Sequence, residues 1–417
     1  MVHAATTSLL GACVIGLAAA GELPRVFEPD GYVRAKALAV ESACLLLVDA
    51  TAVWCRPCQQ MDRTTWVDDR VVRWIEEHAV AVQMDVDRES ARARKLRIEG
   101  MPTIIVFRGE QELDRVVGYR SADELLAWLD GVLEGRREID TLRRAAVDGA
   151  FDVQARLKLA RTLARNGERD EAAEQFVWLW EHMLDYEPAM VGVRLSFMVR
   201  DMKNLAAGHA PAREAFTALR DRLTPALAAG SASRDQVVDW IHLNEVIGLE
   251  DTTISWYESV RDRPDAATML RSAERELFSL LTRTRRWADA GRVLHDPVAR
   301  ARQIIDLTTR SPGWMDQMPD GKRRMFHDRQ MRRHRGDLVQ LYVTCLAAGR
   351  EDEAQGVSSA LLEVDEDPVT YLELVQSAIM INQPRPRHHQ WLDAAEAAGE
   401  DAPELRAELR DALESGL

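Results

Sequence analysis

The residues of this chain that are best suited to chemistry are two cysteines, Cys55 and Cys58, which are separated by Arg56 and Pro57. The apolar residues 44–50 before them predict a buried strand, and the residues after them are compatible with a helix. At the first turn of a helix, free backbone amides and the positive end of the helix dipole stabilise a thiolate. The second cysteine follows one turn later, close enough to form a disulfide, so the pair predicts thiol–disulfide chemistry.

The stretch resembles the thioredoxin family, and the matching features stand in the family's order along the chain. They are the Trp-Cys-x-Pro-Cys core at residues 54–58, Asp49 six residues before the first cysteine, Met101-Pro102 at the start of a strand, and Gly118. Residues 58–75 are most similar to the subfamily related to the C-terminal domain of transmembrane thiol:disulfide reductases. The resemblance covers about residues 27–135 and implies an α/β thioredoxin fold, a central mixed sheet flanked by helices.

The resemblance implies a role for each residue of the catalytic group. Cys55, the cysteine nearer to solvent, would attack a substrate disulfide, and Cys58 would resolve the mixed disulfide that results. Asp49 would be the buried acid that accepts the proton of Cys58. The alternative for Asp49 is a structural carboxylate that bonds to the backbone at a strand end. In many members a lysine of the neighbouring strand pairs with this acid, and the corresponding residue here is Gln83.

The residues around the cysteines are expected to form the substrate site. Trp54 should pack beside the disulfide and shape the substrate groove, and Pro57 belongs to the core motif. Arg56 should stabilise the thiolate of the reduced form, which would make the site more oxidising. Pro102, expected in the cis form, would expose the backbone of Met101 for strand-like pairing with a substrate.

No metal and no bound cofactor are expected besides the redox-active disulfide of Cys55 and Cys58. A Cys-x-x-Cys pair can be half of a zinc site, but no second pair of cysteines and no spaced histidine pair accompanies it in the sequence. The sequence has no nucleotide or flavin motif either, so electrons must come from another protein or a small thiol. A redox-silent pair is the alternative to an active one.

The composition bounds the class of protein. The chain has 417 residues, of which 46% are hydrophobic and 29% charged, enough for two or more globular domains. Its net charge of −14 disfavours a nucleic-acid binder, which needs a basic surface to displace counterions. The five cysteines are an odd number and include one pair that is close in sequence, so a structural disulfide framework is not indicated.

The first 21 residues could be a signal sequence or an apolar leader. Residues 18–20 could form a signal-peptidase site, and the residues before Cys13 resemble a lipoprotein cleavage box. However, no lysine or arginine precedes Arg25, so the usual positive region is missing. The apolar run is also shorter than the ~20 residues that span a bilayer. The sequence is therefore equally compatible with an exported, periplasmic location and a cytoplasmic one, and predicts no membrane contact beyond an N-terminal anchor.

The thioredoxin-like domain is predicted to cover residues 22–136. Apolar periodicity and turn residues define its elements. Helices are predicted at residues 32–41, about 55–61, 71–75, 88–97 and 122–133, and strands at residues 44–50, 79–85, 103–107 and 113–117.

Residues 137–417 are predicted to form an all-helical domain, because apolar residues recur at three- and four-residue spacing and no stretch favours a strand. A helix, a glycine turn and an Asp-Glu-Ala helix start recur around Gly167 and Gly349, and a weaker copy surrounds Trp287. Such pairs resemble tetratricopeptide repeats, but their spacing has no steady period of about 34 residues. We expect a degenerate tetratricopeptide-like array, with a plain helical bundle as the alternative.

The other reactive side chains are expected to be structural. Cys44 and Cys345 should be small buried apolar residues, and His388 and His389 should lie in a solvated loop. The basic run at residues 322–335 should be a solvated helix face, or else a docking patch for an acidic partner.

The sequence predicts a thiol–disulfide oxidoreductase that acts on protein disulfides while its helical domain positions the partners. These partners would be protein thiols or disulfides and a protein or small-thiol electron donor, with no nucleic acid. The alternative is a protein-interaction scaffold whose thioredoxin domain is redox-silent or regulatory. An enzyme should have a fast-reacting Cys55 and an open groove at Met101-Pro102. A scaffold should still bind its partners when Cys55 is replaced by serine.

Overall fold

The computed structural model describes residues 24–148, 152–309, 320–365 and 367–414. The leader predicted over residues 1–21 lies outside the described residues. The chain forms two compact units, one that ends at Arg165 and one that begins at Asn166. The predicted boundary between functional domains, at residues 136 and 137, stays a prediction.

The first unit is built on a four-stranded mixed sheet. Its strands are β1 (Leu45–Thr51), β2 (Ala79–Asp85), β3 (Thr103–Arg108) and β4 (Gln111–Val117). The helices that begin in this unit are α1 (Tyr32–Glu41), α2 (Arg56–Thr64), α3 (Asp69–His78), α4 (Ser90–Lys95), α5 (Ala122–Leu133), α6 (Glu138–Asp148) and α7 (Val153–Asn166). The strand order is β2-β1-β3-β4, with β1 parallel to β2 and antiparallel to β3. The predicted mixed sheet flanked by helices is confirmed.

β1 is a central strand because its side chains are apolar on both faces. Leu45 and Leu47 lie in a buried cluster on one face, and Leu46 and Val48 lie in a second cluster on the other. The alternation follows from the pleat, which turns successive side chains to opposite faces of the sheet. Residues at the end of this strand are therefore held by the best-buried part of the unit.

Three helices beside the sheet, α2, α3 and α5, begin at residues whose side chains cap them. Cys55 precedes α2, and its sulfur accepts a hydrogen bond from the backbone N–H of Cys58. Asp68 caps α3, and Ser121 and Glu124 form a reciprocal capping box at the start of α5. These caps determine where each helix starts and therefore where its first side chains lie.

A buried carboxylate joins α6 to the sheet. Asp114 of β4 accepts hydrogen bonds from the indole N–H of Trp128 at 2.7 Å and from the backbone N–H of Glu138 at 2.6 Å. Arg120 also forms an ion pair with Glu138 at 3.1 Å. The first helix after residue 136 is therefore anchored to the sheet and belongs to the same compact unit.

The second unit is helical throughout its described residues. Its helices are α8 (Arg169–Tyr186), α9 (Val191–Val193), α10 (Val199–Gly208), α11 (Ala210–Ala228), α12 (Arg234–Ile247), α13 (Glu250–Val260), α14 (Ala267–Ser272), α15 (Glu274–Arg283), α16 (Trp287–Val293), α17 (Pro297–Thr309), α18 (Asp320–Ala347), α19 (Glu351–Leu362), α20 (Pro368–Met380), α21 (Arg387–Ala397) and α22 (Pro403–Glu414). Short 3₁₀ turns lie at Pro188–Met190 and Pro264–Ala266, and a π-helical turn lies at Arg194–Met198. A buried apolar cluster that includes Leu277, Tyr342 and Leu361 forms the core.

The three predicted helix pairs are present as helix, turn and helix. Gly167 and Gly349 separate two of them, and both have positive φ angles, 85° and 73°, which favour glycine. Trp287 begins the second helix of the third pair. The all-helical prediction is confirmed for the described residues, whereas the tetratricopeptide-like character of the pairs stays a prediction.

Two predictions for the helical region are wrong. His388 and His389 lie in α21 rather than in a solvated loop, and His388 is fully buried, with its Nε2 hydrogen-bonded to the hydroxyl of Tyr342 at 2.7 Å. Arg335, at the end of the predicted basic face, is also buried, because its guanidinium pairs with Asp365 and Asp367 at 2.9 Å each. Each of these side chains is buried against a partner that is distant in sequence.

The two remaining cysteines differ in burial. Cys345 is fully buried in the helical core, as predicted. Cys44 is only half-buried, and its sulfur lies 3.5 Å from the carbonyl oxygen of Ser42. Among the described residues, there is no helix with the length and apolar character that a membrane span requires.

Candidate functional site

The site lies where β1 ends and α2 begins. Cys55 and Cys58 form a disulfide there, with their Cα atoms 5.3 Å apart. Both side chains are nearly enclosed, with exposed fractions of 4% and 1%. The predicted place of Cys55 as the cysteine nearer to solvent stays a prediction.

The backbone around Cys55 is suited to hold a negative charge on its sulfur. Sγ of Cys55 accepts a hydrogen bond from the backbone N–H of Cys58 at 3.3 Å. It also stands at the N-terminus of α2, where the helix dipole is positive and the first N–H groups are free. After reduction, both features stabilise a thiolate at Cys55 relative to a thiol.

Asp49 is a buried carboxylate in β1. It faces Gln83 of β2 in register and is 1% exposed. Its Oδ2 accepts a hydrogen bond from Nε2 of Gln83 at 3.0 Å, while Oδ1 has no hydrogen-bond partner among the described residues. Burial raises the pKa of Asp49 to about 7, although the hydrogen bond from Gln83 opposes that rise. Asp49 therefore bonds to a side chain, not to the strand-end backbone of the structural alternative.

Asp62 is a second acid of this site, and our sequence analysis gave it no role. Nε2 of Gln83 donates to Oδ1 of Asp62 at 2.8 Å as well as to Asp49. Asp62 follows Cys58 by four residues on α2, so the two side chains share one face of the helix. Burial raises the pKa of Asp62, and the negative charge of Asp62 in turn raises the pKa of Asp49. The four-residue spacing from Cys58 was the available sequence signal.

Trp54 does not pack as predicted. Its side chain is 65% exposed, and its indole N–H donates to Oδ2 of Asp87 at 2.8 Å. The buried indole of this region is that of Trp66, which meets the ring of Phe27 edge-on at 5.1 Å. The packing prediction was wrong because Trp54 lies in the loop after β1, where the Asp87 carboxylate holds it at the surface. Its contribution to a substrate groove stays a prediction.

The other predicted site residues lie around the disulfide. Arg56 and Pro57 are exposed in the first turn of α2. Met101 is half-buried and packs against the cluster that contains both cysteines. The Met101-Pro102 peptide bond is cis, and the carbonyl of Pro102 accepts a hydrogen bond from the N–H of Gly118 at 2.8 Å. The structure thus brings Met101 beside the cysteines, although it is more than 40 residues away in sequence.

Across the described parts of the chain, no group of three or more His, Cys, Asp or Glu side chains is arranged to hold a metal ion.

Comparison with known proteins gives matches over the first unit. The family model described as Thioredoxin matches residues 35–131. A "Thioredoxin H-type" of Brassica campestris is 32% identical over 101 residues, which are 24% of this chain and 77% of that protein. A "Thioredoxin" of Staphylococcus aureus (strain Mu50 / ATCC 700699) is 34% identical over 84 residues, 20% of this chain and 78% of that protein. A solution structure of a thioredoxin from Thermus thermophilus has 30% identity, covers 25% of this chain and 84% of its own, and gives a TM-score of 0.24.

Proposed function

The chain belongs to the thioredoxin family, and from this premise we propose that it exchanges protein disulfides through Cys55 and Cys58. The observation that carries the proposal is the disulfide at the N-terminus of α2, where the amide of Cys58 donates to the sulfur of Cys55. A thiolate at that position is stabilised before any substrate arrives.

We propose that Cys55 performs the first step. In the reduced protein its thiolate attacks one sulfur of a substrate disulfide, forming a new S–S bond as the substrate bond breaks. The other substrate sulfur leaves as a thiolate and takes a proton from solvent. The product is a mixed disulfide between Cys55 and the substrate.

Cys58 and Asp49 perform the second step of the proposal. The thiol of Cys58 gives its proton to the carboxylate of Asp49, and the resulting thiolate attacks the sulfur of Cys55. The mixed disulfide breaks, the second substrate sulfur leaves as a thiolate, and the Cys55–Cys58 disulfide forms. Two electrons have then passed to the substrate. A carboxyl pKa of about 7 suits this step, because the group can both accept and release a proton near neutral pH.

A protein or small-thiol donor then reduces the Cys55–Cys58 disulfide by the same exchange in reverse. The direction of net electron flow depends on the potential of the pair relative to its donors and acceptors. We propose that residues 22–136 carry this chemistry and that Trp54, Arg56, Pro57, Met101 and Pro102 contact the substrate.

We further propose that residues 137–417 position protein partners. The one cysteine of this region, Cys345, is fully buried, and burial raises its pKa to about 12. A thiol that stays protonated does not exchange disulfides. Cys345 is therefore expected to take no part in the exchange, which we assign to the first unit alone.

Trapping of the mixed disulfide tests the redox proposal. Cys58→Ser should accumulate a covalent adduct between Cys55 and a protein disulfide substrate, visible on non-reducing electrophoresis and released by dithiothreitol. Cys55→Ser should form no adduct, and Cys44→Ser is the matched control that should retain activity. An adduct that persists in Cys55→Ser would reject the assignment.

Calorimetry with the double variant Cys55→Ser/Cys58→Ser tests the role of the helical region. If residues 137–417 position partners, a protein substrate should bind this variant non-covalently with an affinity close to that of the oxidised chain. Complete loss of binding would mean that the partner is held through the disulfide site alone.

A further inference from the structure

The solvent-facing side of α2 is cationic beside the disulfide. Arg56, Gln60 and Arg63 are spaced by four and three residues, so their side chains form one stripe along the helix. All three are exposed, whereas Cys58 and Met61 lie on the buried side of the same helix. The stripe begins at the residue after Cys55 and carries no acidic side chain.

The two arginines of the stripe have no direct ion-pair partner among the described residues. Within the described part of the chain, neither guanidinium forms a hydrogen bond or an ion pair, although Arg63 is near enough to lower the pKa of Asp62. Arg70, which is also exposed on this unit, does pair with a carboxylate, that of Asp68 at 2.9 Å. The charge of the stripe is therefore available to a bound partner.

Arg63, in the last turn of α2, suits the helix dipole, but the position of Arg56 is not explained by the stability of the helix. The first turn of a helix favours acidic residues, because the dipole is positive there, yet the first turn of α2 has none and begins with Arg56. A cation at that position works against helix formation. Its placement beside Cys55 is better explained by something outside the helix.

An acidic side chain lies beside Trp54, the residue that precedes Cys55. The exposed indole of Trp54 is bound to the carboxylate of Asp87, which follows β2. Arg88 next to it is exposed and lies 3.9 Å from Asp85. A substrate that crosses the disulfide would thus meet arginines over α2 and a carboxylate beside Trp54.

We propose that Arg56 and Arg63 select protein substrates that carry acidic residues on the α2 side of their disulfide. This inference rests on the proposed function, because it names the substrate class of the same site. Arg63 lies seven residues beyond Arg56, about 10 Å along the helix. An extended substrate advances about 3.3 Å per residue, so its acidic residues would fall next to the reacting cysteine and about three residues further on.

The test uses the full chain and three peptide disulfides that differ in flanking residues, acidic, neutral or basic. The measured quantity is the ratio of kcat/KM for the acidic peptide to kcat/KM for the neutral one. We expect a ratio near ten at low salt that falls in 0.3 M salt, because exposed charge pairs are screened. Arg56→Gln and Arg63→Gln should each lower the ratio about threefold, the effect of one exposed ion pair.

Arg56→Gln also alters the electric field at Cys55 and therefore changes kcat/KM for every peptide. The ratio of kcat/KM between the acidic and the neutral peptide cancels this common change. Arg73→Gln, an exposed arginine of α3, removes the same charge elsewhere on the unit and should leave the ratio unchanged. If the peptides are reduced without charge preference, or if Arg63→Gln keeps the full ratio, the selection by arginine is rejected. If no peptide is reduced, the proposed function itself fails.

Discussion

Nε2 of Gln83 donates a 3.0 Å hydrogen bond to Oδ2 of Asp49, and the two residues face each other on neighbouring strands. In many thioredoxins a lysine stands where Gln83 stands. A neutral amide satisfies one carboxylate oxygen but brings no positive charge, so the cost of burying the ionised acid is only partly offset. Burial therefore raises the pKa of Asp49 to about 7, and the hydrogen bond from Gln83 opposes that rise without cancelling it.

Gln83→Lys should lower the pKa of Asp49 by about one unit or more, because an adjacent cation favours the charged carboxylate. Asp49 would then be ionised at lower pH, and the rise of disulfide-reduction rate with pH should move downward. Infrared detection of the protonated carboxyl group during a pH titration measures the pKa directly.

Gln83→Met is the matched control for that substitution, since it keeps the length of the side chain and removes the donor. The hydrogen bond from Gln83 lowers the pKa of Asp49, so its loss should raise the pKa. The two substitutions must therefore shift the titration in opposite directions, and a shift in the same direction would contradict the role assigned to the amide.

Asp62→Asn should also lower the pKa of Asp49, because the charge of Asp62 raises it. An asparagine oxygen can still accept the hydrogen bond from Gln83, so the geometry is retained while the charge is lost. The pH profile of reduction should move downward, by less than for Gln83→Lys. Asp69→Asn removes an exposed acid at the start of α3 and should leave the profile in place; an equal shift in both variants would indicate a general charge effect.

The sheet and its helices could be predicted from local sequence because each pattern has one structural solution. The predicted bounds of β2, α1 and α5 are those of the structure. β2 is an apolar run that follows α3 directly and ends at a turn, and α5 begins at a capping box between Ser121 and Glu124. Such signals lie within the element itself and need no tertiary contact.

The contacts that tune the site could not be predicted in the same way. The bridge from Gln83 to both Asp49 and Asp62 joins β1, β2 and α2, and its existence depends on how the helix sits on the sheet. His388 was misplaced for a similar reason, because its burial depends on Tyr342, which is 46 residues earlier in the chain. Sequence spacing within one element carries no information on such pairs.

Trp54→Ala should reduce activity more than stability. The side chain is 65% exposed, so its removal should cost no more than about 1 kcal/mol, chiefly the hydrogen bond to Asp87. If the indole contacts substrates, kcat/KM for a protein disulfide should fall severalfold, with a smaller change for a small-molecule disulfide. Trp66→Ala gives the contrast, since deleting this buried indole should cost about 3–5 kcal/mol. An equal fall in kcat/KM for the protein disulfide and the small-molecule disulfide would mean that Trp54 does not bind protein substrates.

Asp49→Asn should change how the stability of the first unit depends on pH. The native pKa of Asp49, about 7, lies above the ordinary value of 3.8, so between these values the folded state holds a proton that the unfolded state has released. Stability should therefore fall as pH rises from 4 to 8, and a shift of about three units corresponds to about 4 kcal/mol. Asparagine mimics the neutral acid, so the variant should match the wild type at pH 4 and be more stable at pH 8. Hydrogen exchange of the β1 amides in the oxidised full chain, corrected for intrinsic rates, measures this difference. If the β1 amides of the variant and the wild type exchange equally slowly at pH 8, ionisation of Asp49 does not destabilise the folded state, and the prediction is wrong.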